Sequence, residues 1–252
     1  MLSQMNIRLN ALSNENTQLL SEVNKVTGTD QSLDTGTGYA SLQAPAVSQS
    51  VQNVVRGRGI VQMIVQKGSI MNISVEIEPG KGRVLVQTKP LMGVVFQGAA
   101  NTAVAVAGNK TGFDLSKSDV IFSIDSGNQI SEVDGPSAGA LMTLLAISAI
   151  EKRPINETLT LTGTITADGH VGAIGGVIEK ATAAKENGKT LFLIPMENQL
   201  ISPPSSGTAV SRIFVPAQPV QQQVSAKDYV EKNIGIQVSY VNTIDDILAK
   251  AL

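Results

Sequence analysis

134-DGPSAGALMTLLAISAI-150 sets one serine, Ser137, between glycine, proline and alanine and follows it at once with a long apolar run. A helix that is apolar on every side belongs inside a core, with other elements laid around it. The stretch therefore reads first as a buried helix with a serine at its mouth. The strands that would enclose such a helix lie on both sides of it in sequence. Whether Ser137 also does chemistry depends on what the rest of the chain can offer a hydroxyl.

The chain has 252 residues, 42% of them hydrophobic, with a net charge of −2, and so has ample material for a core. Charged residues make up only 16%, and no local cluster of Lys or Arg provides a nucleic-acid footprint. The absence of cysteine excludes disulfides, thiolate metal sites and a cysteine nucleophile. No apolar run approaches the length of a membrane span, and no charged leader stands at Met1.

Three parts follow along the chain. Over residues 1–27, Leu2, Met5, Leu9, Leu12, Asn16, Leu19, Val23 and Val26 fall at alternating spacings of three and four, which predicts a coiled-coil helix and self-association. The alternative is an amphipathic helix packed on its own domain. Residues 28–55, rich in Gly, Ser, Thr and Gln, read as a linker or extended arm. From Arg56 to Leu252 the chain reads as one mixed α and β body. IVQMIV, IMNISVEIEP and RVLVQT are strands, and EPGKGR is expected to turn a hairpin between the last two. The stretch 93–108 is expected to be helical, DVIFSID a strand, and IEKATAAKEN a helix ending at Gly188. LFLIP reads as a buried strand and Ser202–Ala226 as a long loop containing one strand, SRIFV. IQVSYV is a closing strand, followed by a helix over 243–252 with Thr243 as its N-cap.

Few groups could activate Ser137. G-P-S-A-G fits the nucleophile-elbow pattern G-x-S-x-G, but that pattern needs a histidine base after an acid. The single histidine, His170, stands two residues after Asp168 in a glycine-broken turn and reads as a turn residue. Lys110-Thr111-Gly112 lacks an accompanying S-x-x-K, and the GKT at 188–190 closes a helix rather than opening one. One histidine and no dense carboxylate cluster give no metal site, and no cofactor is expected. A lysine base remains. An ordinary lysine has a pKa of about 10.4, so roughly one in a few thousand is neutral at pH 7, and lowering that value requires burial. Lys180, in GAIGGVIEKATAA, is the lysine with the most apolar surroundings.

DGPSAG together with TGTITADGHVGAIGGVIEKATAA and FLIPMEN strongly resembles the proteolytic domain of the Lon protease family, over about residues 132–198, with a weaker return in VNTIDDILAKAL. In that family the motif serine and the lysine of GG-x-x-EK form a Ser–Lys dyad at the spacing that separates Ser137 from Lys180. The resemblance implies an α+β fold of the Lon type, like the second domain of ribosomal protein S5. It also implies catalytic roles for Ser137 and Lys180, with Thr162 hydrogen-bonding the lysine. Pro136, Gly135 and Ala138 would shape the helix mouth, where free N–H groups including that of Ser137 stabilise an oxyanion. Asp134 would serve a regulatory or capping role, and Gly175 and Gly176 would let the backbone pass close to the dyad.

The usual glutamate after Thr-Gly is replaced here by Thr164, and no Walker A sequence accompanies the motifs. The resemblance thus implies a stand-alone Lon-like serine peptidase acting on unfolded or flexible polypeptides. It would work either without ATP or with a separate unfoldase. Homo-oligomers, including rings of six, are the implied assembly, and nucleic acid is not an expected partner. The location is expected to be cytoplasmic, or membrane-associated if an anchor preceded Met1. The rival reading is a non-catalytic coiled-coil interaction module with a degenerate fold of the same type. A small-molecule kinase using GPSAG to hold phosphate lacks the serine-rich loop that reading needs.

Overall fold

The computed structural model describes residues 37–56, 59–89, 91–126, 132–133, 135–203 and 223–252. The coiled coil expected over 1–27 and the strand SRIFV lie outside them. The first described elements are two long strands, β1 (Gly38–Arg56) and β2 (Gly59–Pro79), antiparallel in one register from Gly38↔Ile77 to Arg56↔Gly59. Residues 38–56 are therefore a paired strand rather than a linker. Ala40, Leu42 and Ala44 alternate inward and are buried, so the period of two is present but carried by small residues among Ser and Gln.

The EPGKGR turn does not close a hairpin. After it come β3 (Val84–Thr88), the short β4 (Leu91–Met92), helix α1 (Val94–Thr111) and β5 (Ser118–Asp125). β5 inserts between the two strands expected to pair, antiparallel to β2 and parallel to β3, giving the order β1-β2-β5-β3. α1 is the crossover that a parallel pair requires. The turn takes its shape from β5: the Asp119 carboxylate accepts the N–H groups of Lys81 (2.8 Å) and Arg83 (3.0 Å) and pairs with the Arg83 guanidinium. These donors hold the Asp119 carboxyl far below its ordinary range. A Cβ at Gly80 would lie 2.2 Å from that carboxyl carbon, so only glycine fits.

β6 (Glu132–Val133) pairs parallel to β4 and leads to helix α2 (Gly139–Glu151), the apolar run of the opening motif. Every residue from Gly139 to Ala149 is buried. α2 lies against β1 and β2 and also packs on α1. Its two buried polar side chains are satisfied locally: the hydroxyls of Thr143 and Ser148 donate to the carbonyls of Gly139 and Arg153. Full burial of Leu141, Leu144, Leu145 and Ile147 contributes roughly 1.5–3 kcal/mol each, so this helix organises the core.

The second half contains β7 (Leu159–Leu161), β8 (Thr164–Ile165), β9 (Val171–Gly172), helix α3 (Val177–Glu186), β10 (Leu191–Pro195) and a 3-10 turn at Met196–Asn198. Then come β11 (Leu200–Ile201), β12 (Val224–Ser225), α4 (Ala226–Asn233), β13 (Gln237–Val241) and α5 (Ile244–Ala251). β7, β10 and β13 form a parallel sheet in the order β13-β10-β7. Helix ends follow their local signals. Gly112 (φ 70°) closes α1, Gly188 (φ 79°) follows α3, and the Asp246 carboxylate accepts the Thr243 N–H (3.0 Å) at the start of α5. The short helix α4 has no counterpart in the sequence reading. Ser225 caps it by accepting the Asp228 N–H at 3.2 Å.

Candidate active site

Two stretches far apart in sequence meet at Thr162, which directly follows the carboxyl end of β7. The Thr162 hydroxyl donates to the Ser137 backbone carbonyl (3.0 Å) and accepts from Lys180 Nζ (3.0 Å). A second strut reinforces the first, because the Gly163 N–H also donates to the Ser137 carbonyl (2.9 Å). Thr162 is 1% exposed and Lys180 3%, whereas Ser137 is half-buried and open to an approaching molecule.

Lys180 is buried because of where it falls on α3. Val177, Lys180, Ala181 and Ala184 occupy the i, i+3, i+4, i+7 stripe of that helix, and all are buried. A lysine therefore stands where the pattern asks for an apolar residue. Desolvation alone lowers its pKa to about 8. The helix approaches the β1–β2 ribbon closely because glycines permit it. A Cβ at Gly68 would fall 2.0 Å from the Glu179 carbonyl oxygen.

At the other wall, the mouth of α2 is set by Gly135, whose φ of 106° is a left-handed conformation, and by the exposed Pro136. The Gly139 N–H donates to the Pro136 carbonyl (3.0 Å) and the Ala140 N–H to the Gly163 carbonyl (3.0 Å). No described residue accepts from the N–H of Ser137 or of Ala138. Asp134 lies outside the described residues. Gly176 has φ 68° at the start of α3, and the close approach it permits is to Val47 of β1 (2.5 Å from a would-be Cβ) rather than to Ser137. A Cβ at Gly175 would meet nothing within 4 Å.

Two residues that sequence reasoning gave no role turn out to hold the lead into α3. The Glu197 carboxylate accepts the Ala173 N–H (2.8 Å) and meets His170 Nε2 (2.9 Å). The Asn198 side chain accepts the Ile174 N–H (2.9 Å) and donates to the Ile174 carbonyl (2.9 Å). Both follow the carboxyl end of β10, as Thr162 follows that of the neighbouring β7. In open sheets with parallel strands, functional groups gather at that end, and a polar Glu-Asn pair just past a buried strand was the available signal. His170, expected as a turn residue, follows the turn at 167–168, bridges to Thr243 and is a structural partner of Glu197.

The sequence profile of the Lon protease (S16) C-terminal proteolytic domain matches residues 31–202. Among curated proteins, a Lon protease of Koribacter versatilis is 31% identical over 190 residues, covering 73% of this chain and 20% of that protein. A Lon protease of Elusimicrobium minutum is 37% identical over 127 residues, 49% of this chain and 15% of its own length. Lon protease 2 of Bacillus subtilis is 51% identical over 67 residues, 27% of this chain and 12% of its own. The chain thus spans a fifth or less of the length of these relatives.

Proposed function

Because the chain belongs to the Lon protease (S16) C-terminal proteolytic domain family, we propose that it is a serine peptidase in which Ser137 is the nucleophile and Lys180 the general base. The observation that carries this reading is the buried amine of Lys180. It is hydrogen-bonded to Thr162, has no acidic partner among the described residues, and has a pKa lowered to about 8. At that value about one molecule in ten holds a neutral amine at pH 7, against roughly one in a few thousand for an ordinary lysine. The neutral amine donates one hydrogen to Thr162, which leaves its lone pair free for the serine proton.

Ser137 Oγ attacks the scissile carbonyl carbon as Lys180 Nζ takes the hydroxyl proton. The oxyanion receives the N–H groups of Ser137 and Ala138 at the mouth of α2. Lys180 then returns the proton to the leaving amine, and the acyl-serine forms. Water, deprotonated by the same amine, attacks the ester, and the amine hands that proton to Ser137 Oγ as the acyl–oxygen bond breaks and the second product leaves. Thr162 orients the amine and, through its bond to the Ser137 carbonyl, ties the two reacting residues to one hydroxyl.

Unfolded or flexible polypeptide is the substrate, taken without ATP or delivered by a separate unfoldase. Copies of the chain assemble, through residues 1–27 or as a ring. Cleavage of unfolded casein and of a fluorogenic peptide, with and without ATP, by wild type, Ser137→Ala and Lys180→Ala tests the reading. Activity surviving either substitution overturns the dyad, and an inactive wild type favours the interaction-module reading or a missing partner. Sedimentation with and without residues 1–27 tests the assembly, and an unchanged mass removes the coil from it.

A further inference from the structure

α3 has an unusual start. Its N-cap is Gly176, which has no side chain with which to accept the first N–H groups, and the first helical hydrogen bond there is Lys180 N–H to the Gly176 carbonyl (2.9 Å). The backbone around Gly176 is thus free to choose where the helix begins, and Lys180 sits within the first turn or so of that choice. What removes the freedom lies outside the helix. Ala173 and Ile174, just upstream, are held by three backbone bonds to the side chains of Glu197 and Asn198. Asn198 grips Ile174 by both its N–H and its carbonyl, as a neighbouring strand would, and so fixes the peptide's rotation as well as its place. On the opposite side Val47 blocks any shift of Gly176 toward β1.

We propose that Glu197 and Asn198 are the positioning residues for Lys180: by holding residues 173–174 they set where α3 begins, and thereby hold the amine against Thr162 and out of water. The proposal rests on the reading of Lys180 as general base. The turn that carries the pair follows β10, and β10 is hydrogen-bonded to β7, which leads directly into Thr162. Donor and acceptor of the Lys180–Thr162 bond are therefore both referred to the same pair of strands. An error in the turn displaces one relative to the other. A displacement of about 1 Å from a remote residue costs up to about a hundredfold in rate. The charged groups around this lead-in are His170, Asp168 and Glu179, besides Glu197 itself, and none of them is a cause of the lowered Lys180 pKa, which burial alone produces.

The test uses the full chain and four variants: Asn198→Ala, Glu197→Ala, and the shape-preserving Asn198→Asp and Glu197→Gln. Two readouts are taken, the pH profile of fluorogenic-peptide cleavage and the titration of Lys180 followed by NMR of its 13C-labelled ε-methylene. The NMR titration needs no turnover. We expect Asn198→Ala to lower kcat about tenfold or more with KM within twofold, and to move the Lys180 titration upward toward the ordinary lysine value as water reaches the amine. Asn198→Asp keeps the bond from the Ile174 N–H and loses the donation to its carbonyl, and should show a smaller shift in the same direction. Glu197→Ala should exceed Glu197→Gln. Variants that melt like wild type yet keep the wild-type Lys180 titration and kcat overturn the positioning role. If the alanine variants fail to fold, the same comparison is made on the two shape-preserving ones. Should Lys180→Ala remain active, the general-base reading falls instead; an inactive Lys180→Ala beside wild-type-like clamp variants overturns the clamp alone.

Discussion

Among the described residues two lysines are buried, and their amines meet different partners. Lys180 is 3% exposed and Lys189 6%, and burial lowers the pKa of both. Lys189, just past α3, donates to the Glu157 backbone carbonyl at 2.7 Å, and the nearby Glu157 charge opposes the effect of burial. Its partner only accepts, so the bond anchors the amine as a strut between the start of β10 and the loop before β7. Lys180 meets a hydroxyl that passes its own hydrogen to the Ser137 carbonyl. Burial alone does not make a base. On the proposed reading the difference lies in a partner hydroxyl wired to Ser137, with no carboxylate among the described residues bonded to the amine.

The largest effect expected from breaking this comparison is on turnover. Ser137→Ala and Lys180→Ala should each lower peptide cleavage at least ~1,000-fold, with Lys189→Ala within about threefold of wild type. A loss at Lys189 equal to that at Lys180 would erase the distinction. Next, Thr162→Val removes the shared hydroxyl while keeping the shape of the side chain. It should cost about 10–100-fold in kcat with little change in KM, read from initial rates over a range of peptide concentration. The pH profile comes third. If Lys180 is the general base, its neutral amine is the active form, and kcat/KM should rise with pH through about 8, gaining about tenfold between pH 7 and its plateau, with the same midpoint in Lys189→Ala.

The remaining effect is on stability rather than turnover and has the opposite sign from most core substitutions. The unfolded chain holds the Lys180 proton up to its ordinary pKa of about 10.4, while the folded chain gives it up near 8. Between those values the unfolded state binds more protons, so wild-type stability should rise with pH across that window. Lys180→Met should remove this slope and raise stability at pH 7 by about 3 kcal/mol, seen as a higher melting temperature. For Lys189→Met, which forfeits an anchoring bond as it relieves burial, the change should stay within about 1 kcal/mol.

What could be read from the sequence follows the range of the interactions involved. The helix boundaries at Gly188 and Thr243 were legible because a cap needs only a few consecutive residues, whereas the helix expected over 93–108 runs on to Thr111, where Gly112 closes it. Ser137, Lys180 and Thr162 were legible through motifs, and the burial of Lys180 through the alanines and valine around it. β1 was not legible, because Ala40, Leu42 and Ala44 alternate in small residues that carry little strand signal. The β2–β3 hairpin was wrongly expected because nothing local announces that β5 will take the place between them. The helix α4 was hidden by the polar stretch before it. Glu197 and Asn198 escaped notice for a similar reason: their partners lie more than twenty residues upstream, and only the juxtaposition of β7 and β10 gives them meaning.

The turn shaped by Asp119 has a consequence for the order in which the protein can be made. Residues 79–84 receive their defining anion from a strand that leaves the ribosome 36 residues or more later. Until then β2 and β3 have no strand between them, and each exposes an unpaired edge to other nascent chains. A fragment stopping before residue 118 should consequently be prone to aggregate. Supplying the remainder as a separate polypeptide that begins at β5 should suppress that aggregation, since the central strand then arrives in trans.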